Sequence, residues 1–152
     1  MDSIPNNSGV YILVFNLNEE TTITFDRQGS KRQFAPGWYL YVGSACGPGG
    51  LNRRLARHRR RHASGKRMHW NVDYFREHAT LCEVWFRETR NSDVEHQWAQ
   101  SITEQIGVSV PVRKFGAHDC KTNCDAHFFY CSNRPSTAKF RSQLAYRVRE
   151  GG

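Results

Sequence analysis

Residues 38–62 read WYLYVGSACGPGGLNRRLARHRRRH, and this stretch decides the fold. In Trp38–Gly43, Tyr39 and Tyr41 alternate with Leu40 and Val42. That is the two-residue period of a strand, so the two tyrosines share a face. Gly47, Pro48, Gly49 and Gly50 break the strand. From Leu51 to His62 the Arg, Leu and Ala residues favour helix, with Leu51 and Leu55 one turn apart as its anchor. Arg54, His58 and Arg61 then project together as an adjacent stripe.

Working outward, Ser8–Leu17 (SGVYILVFNL) is a β-branched and aromatic run, expected as a strand buried on both faces for most of its length. Residues 16–20 turn the chain, and Thr21–Phe25 is expected to return beside the first strand, giving an antiparallel meander. Asp26–Gly29 forms another turn. Beyond the basic helix, the pattern predicts a short helix over Trp70–Phe75, a strand over Thr80–Phe86 and a helix over Asp93–Ile106. Val94, Trp98, Ala99, Ile102 and Ile106 form the apolar stripe of that last helix, with Asn91 and Ser92 as candidate caps. Ala126–Ser132 is a late strand, and Phe140, Leu144 and Val148 suggest a C-terminal helix bearing Lys139, Arg141, Arg147 and Arg149. The fold class is α/β, a small, mainly antiparallel central sheet flanked by helices in a single domain. Its expected extent is 1–132, with 133–152 as a basic C-terminal helix or tail.

With 152 residues and 38% hydrophobic composition, the chain supports one core and not two. The formal net charge is +8. Arg53, Arg54, Arg57, Arg59, Arg60, Arg61, Lys66 and Arg67 occur with no acid among them and carry that whole excess, leaving the rest formally neutral. Clustered like charges repel, so they require solvent or a polyanion, and nucleic acid is the expected partner. No apolar run approaches the roughly 20 residues of a membrane span. The N-terminal MDSIPNNSG lacks a basic signal-peptide region, and Val10–Phe15 is too short for its apolar core. Five scattered cysteines do not make a disulfide scaffold, so reduced thiols and a cytoplasmic location are expected.

Gly9-Val10-Tyr11 on the first strand, Tyr41-Val42-Gly43 on a later one, Leu51-Asn52-Arg53-Arg54-Leu55, His58 and then Glu95 follow one another in order. This order resembles the GIY-YIG endonuclease superfamily from about Gly9 to Tyr130. The Gly-Pro-Gly-Gly loop, Ala35–Tyr39 and His69–Tyr74 look like a small stand-alone branch regarded as a domain of unknown function. The resemblance implies a GIY-YIG-like nuclease domain in which Tyr11 is the base or proton relay for the attacking water, with Tyr41 assisting. The implied activity is metal-dependent hydrolysis of nucleic-acid phosphodiesters, with DNA expected over RNA and little sequence preference or recognition of DNA structure.

Residue chemistry agrees with those roles. Glu95 is a hard oxygen ligand suited to one Mg²⁺ or Mn²⁺, and Arg54 offers a permanently charged planar fork to the scissile phosphate. His58, one turn from Arg54, shares the base role or binds phosphate. A tyrosine near its ordinary pKa of about 10 is a poor base, so Tyr11 needs nearby positive charge to lower it. Each residue also has a plainer reading: Tyr11 and Tyr41 as strand aromatics, His58 as part of the cationic ridge, and Glu95 as a first-turn acid favoured by the helix dipole. The competing functions are a nucleic-acid-binding module that does not cut, and a zinc-stabilised interaction domain. For the latter the candidate ligands are His118, Cys120, Cys124 and His127, whose Cys-x₃-Cys spacing departs from ordinary zinc knuckles.

Overall fold

The computed structural model describes residues 4–60, 70–91, 93–105, 107–115, 124 and 126–135. In chain order the elements are β1 (Gly9–Leu17), β2 (Thr21–Thr24), β3 (Lys31–Phe34), β4 (Gly37–Ala45), α1 (Gly50–Arg59), α2 (Asn71–Arg76), β5 (Thr80–Glu88), α3 (Asp93–Thr103), β6 (Val108–Ser109) and β7 (Phe128–Cys131). The main sheet runs β5-β1-β4-β7-β6, and every pairing in it is antiparallel. This is the expected α/β fold, a mainly antiparallel sheet with helices on both sides.

All of β1 except Asn16 is buried, and strand alternation divides it between two cores. Tyr11, Leu13, Phe15 and Leu17 join Leu51 and Leu55 of α1 and Val72 and Phe75 of α2. Val10, Ile12 and Val14 face Val94, Trp98, Ala99 and Ile102 of α3 on the other side. Three layers therefore enclose the central strand.

The expected meander does not form. β1 lies between β4 and β5, while β2 pairs only with β3 in a separate two-stranded sheet. Burial explains the difference: a central strand with two apolar faces needs apolar neighbours, and in β2 only Ile23 is buried. β3 had no sequence signal, since Lys31, Arg32 and Gln33 are all exposed.

The start of α1 is held by the N-terminal segment. Leu51 N–H donates to the Asn7 carbonyl and Asn52 N–H to that of Pro5, both at 2.9 Å, satisfying donors that have no partner within the helix. Gly50 at this turn has φ +55°, and a Cβ there would collide with the Asn6 and Asn7 backbone. α1 ends at Arg59 rather than His62, because Arg60 is extended. Arg76 of α2 closes the end, donating to the carbonyls of His58 and Arg59 at 3.1 Å each. Asn91 Oδ1 accepts the Asp93 N–H at 3.0 Å and so caps α3, as expected. Ser92, Ile106 and the C-terminal helix expected around Phe140, Leu144 and Val148 lie outside the described residues.

Candidate active site

The β1–β4 register places Tyr11 opposite Gly43 and Leu13 opposite Tyr41. A Cβ at residue 43 would lie 2.5 Å from both the Tyr11 hydroxyl oxygen and its Cζ. Only glycine lets Tyr11 lie across β4 in this way. Its hydroxyl is 2.7 Å from His58 Nε2, in a hydrogen bond closed to solvent. The His58 ring lies 5.4 Å from that of Tyr11 and 6.0 Å from that of Tyr41, so the three form one cluster beneath α1.

Arg54, one turn before His58, donates from Nη1 to the Ser44 carbonyl at 3.0 Å and lies over the Trp70 ring at 4.6 Å. Arg57 stacks on the same ring at 4.3 Å. Its guanidinium also pairs with both Asp73 oxygens, at 2.8 and 2.7 Å, and the fully buried Asp73 carboxylate accepts the Trp70 N–H as well. Arg57, expected among the phosphate contacts, is thus bound into the junction between α1 and α2. Arg53 and Arg60 are exposed, Arg59 is half-buried, and Arg61, Lys66 and Arg67 lie outside the described residues. Trp70, Asp73 and Ser44 had not been singled out as site residues. An acid between Val72 and Phe75 on an apolar helix was the available signal for Asp73.

Glu95 belongs to α3, the layer opposite α1, yet its charge acts on both Tyr11 and Tyr41. The two layers are joined near the end of β4. Ser44 links the layers there, its carbonyl accepting from Arg54 and its side chain hydrogen-bonding Glu95. Glu95 Oε1 also lies 3.2 Å from His127 Nδ1. Burial pushes the Glu95 carboxyl upward, but hydrogen bonds with His127 and Ser44, with the charge of His127 and His96, outweigh it and hold the group below its ordinary value. It is therefore ionised at neutral pH.

Tyr11 behaves in the opposite way to the expected one. Burial lifts its pKa far above the ordinary tyrosine value, and the charge and hydrogen bonding of Arg54 only partly offset this. Tyr41 is raised too, by burial and then by the neighbouring Tyr11 and Glu95. Both phenols are neutral at pH 7, so Tyr11 faces His58 as a hydroxyl and not as a phenolate.

Of the four expected zinc ligands, His118 and Cys120 lie outside the described residues. Cys124 and His127 do come together, joined by His96 of α3, with one ligand atom from each lying within 4.8 Å of the others. His96 and Cys124 stand 28 positions apart, so no local motif could have paired them. Among the described residues, no helix is long and apolar enough to cross a membrane.

A small three-layer α/β domain with a buried Tyr–His pair and a carboxylate at its sheet end is the class these features define. The chain belongs to the family described as Domain of unknown function DUF123, which it matches over residues 10–149. No curated protein and no solved structure gives a match.

Proposed function

We propose that the chain is a metal-dependent endonuclease of GIY-YIG type that hydrolyses phosphodiester bonds of nucleic acid, DNA foremost. The observation that carries this reading is the 2.7 Å hydrogen bond between the Tyr11 hydroxyl and His58 Nε2, set between Arg54 and Glu95. A strand tyrosine that served only packing would not need a buried imidazole as its hydrogen-bond partner. Here the pair forms a proton path.

In this mechanism Tyr11 relays rather than ionises. Its oxygen accepts a proton from the attacking water as its own proton passes to His58 Nε2, so no free phenolate has to form against the cost of burial. Arg54 carries five N–H donors; it gives one to Ser44 and hydrogen-bonds Tyr11, and its remaining donors can serve phosphoryl oxygens. Its stacking on Trp70 fixes the plane of the guanidinium. Tyr41 packs edge-on against the His58 ring, with centroids 6.0 Å apart, and helps to hold the imidazole in place.

Glu95 fits the expected Mg²⁺ or Mn²⁺. It is an ionised, partly buried carboxylate, the hard-oxygen donor such ions take, and a single carboxylate leaves the remaining positions to water. A bound ion there would neutralise charge on the phosphoryl oxygens and favour deprotonation of water. Ser44 and His127 hold the carboxylate near the end of β4, where the Ser44 carbonyl also receives Arg54. A nucleic-acid substrate also agrees with the expected cytoplasmic location and with the basic segment beginning at Arg53.

The test is cleavage by the purified chain with Mg²⁺ or Mn²⁺ on labelled single-stranded, duplex and branched DNA and the RNA equivalents. Cutting of DNA that is lost in His58→Ala at unchanged circular dichroism supports the relay. Salt-sensitive binding with no cutting under either ion points to a binding module and overturns the reading.

A further inference from the structure

We infer that His96, Cys124 and His127 form a second metal centre, one that takes Zn²⁺ and is separate from the hard-ion position at Glu95. The ligand atoms lie within 4.8 Å of one another, and Cys124 Sγ is 3.8 Å from His96 Nδ1. A tetrahedral ion with Zn–S near 2.3 Å and Zn–N near 2.05 Å separates its ligand atoms by roughly 3.3–3.6 Å. One edge is therefore nearly at that spacing already, and an edge at the 4.8 Å limit closes by about 1.2–1.5 Å of side-chain movement.

Donor type decides which ion. Two imidazoles and a thiolate select a borderline-soft transition metal and reject Mg²⁺ and Mn²⁺, whose preferred ligands are carboxylate and water oxygens. Burial keeps most of the ligand set from bulk solvent: Cys124 is 4% exposed and His127 2%, with His96 partly covered. The three residues come from α3 and from the segment entering β7, parts of the chain that are distant in sequence. An ion there ties the outer helix layer to the strand that borders β4.

A further contact gives the centre its second shell. A histidine that ligates through one nitrogen commonly gives the other to a carboxylate, which fixes its tautomer and ring plane. His127 Nδ1 faces Glu95 Oε1 at 3.2 Å, which assigns Nε2 to the metal. Zn²⁺ would hold His127, and His127 in turn would orient the carboxylate of the proposed nuclease site. The centre itself does not depend on the nuclease reading.

The full chain, stripped with chelator and titrated with Co²⁺ as a spectroscopic stand-in, should give tetrahedral d–d bands and a near-ultraviolet thiolate-to-cobalt band saturating at one ion per chain. One equivalent of Zn²⁺ should bleach both. Protein purified without added metal should carry zinc near stoichiometry by elemental analysis. Cys124→Ser should abolish the thiolate band, and His96→Ala should weaken affinity at least tenfold. A folded wild-type chain that gives no thiolate band and holds no stoichiometric zinc overturns the proposal, whether or not the variants fold. Retention of the same spectrum in Cys124→Ser overturns it too. Because neither readout involves cleavage, loss of this proposal and loss of the nuclease reading are told apart.

Discussion

At the scale of single residues the proposed chemistry rests on Tyr11, whose ring packs in the core as a phenylalanine would and whose hydroxyl bonds His58 Nε2. Tyr11→Phe removes the buried hydrogen bond with His58 at a cost of about 1–3 kcal/mol, so the melting temperature should fall by several degrees with the fold kept. The variant should lower cleavage kcat by about 10²–10⁴-fold, the usual contribution of a positioned proton-transfer group, with DNA affinity unchanged in a binding assay. Gly43→Ala should do comparable damage by another route. Its Cβ would fall 2.5 Å from the Tyr11 hydroxyl, so the ring must rotate away from His58. Loss of cleavage in that variant should be accompanied by a change in the near-ultraviolet circular dichroism of the displaced tyrosine.

Between elements, the junction of α1 and α2 depends on one buried charge. Asp73 is fully buried and meets both Arg57 nitrogens and the Trp70 N–H. Removing one partner of a buried pair leaves the other uncompensated, at a cost of about 3–5 kcal/mol. Because the Arg57 side chain keeps 20% exposure, Asp73→Ala should cost about 3 kcal/mol, the lower end of that range, measured by urea unfolding. Gly9 is the matching constraint between α1 and β1, since a Cβ there would lie 2.5 Å from both the Leu51 Cδ1 and the Arg87 carbonyl. Elements of this kind differ in how far the sequence reveals them. β1, β4, β5 and α3 were legible because long apolar runs or stripes dictate their period, as in Val10–Phe15 and in Val94, Trp98, Ala99 and Ile102. Partner choice was not, because the residues of β2 specify a strand but not its neighbour. The candidate site can be read in the sequence only as the order Tyr11, Tyr41, Arg54, His58 and Glu95, whereas Trp70, Asp73, Ser44 and His96 come beside these residues only through packing between distant segments.

Across the whole molecule, buried tyrosines and clustered arginines set the response to pH and salt. Tyr11, Tyr39 and Tyr41 all have pKa values raised by burial above the ordinary 10.0, so the unfolded chain releases their protons first. Their contribution to stability is full below about pH 10 and is lost as pH rises from there toward the folded-state values. Urea midpoints measured from pH 8 to 11 should fall above pH 10, and less steeply in Tyr11→Phe. DNA affinity should drop with added salt at a log–log slope of roughly −0.9 per phosphate contacted. Arg53→Ala should flatten that slope without abolishing cleavage. The central claim concerns what Glu95 does at the end of β4. The most direct measurement is the single-turnover rate of DNA cleavage by wild type and Glu95→Gln, with Mn²⁺ present and after chelation, at matched circular dichroism. Wild type should cut only with the ion, and Glu95→Gln should fail under both conditions. Equal rates in the two proteins, or cutting by wild type that survives chelation, would contradict the account.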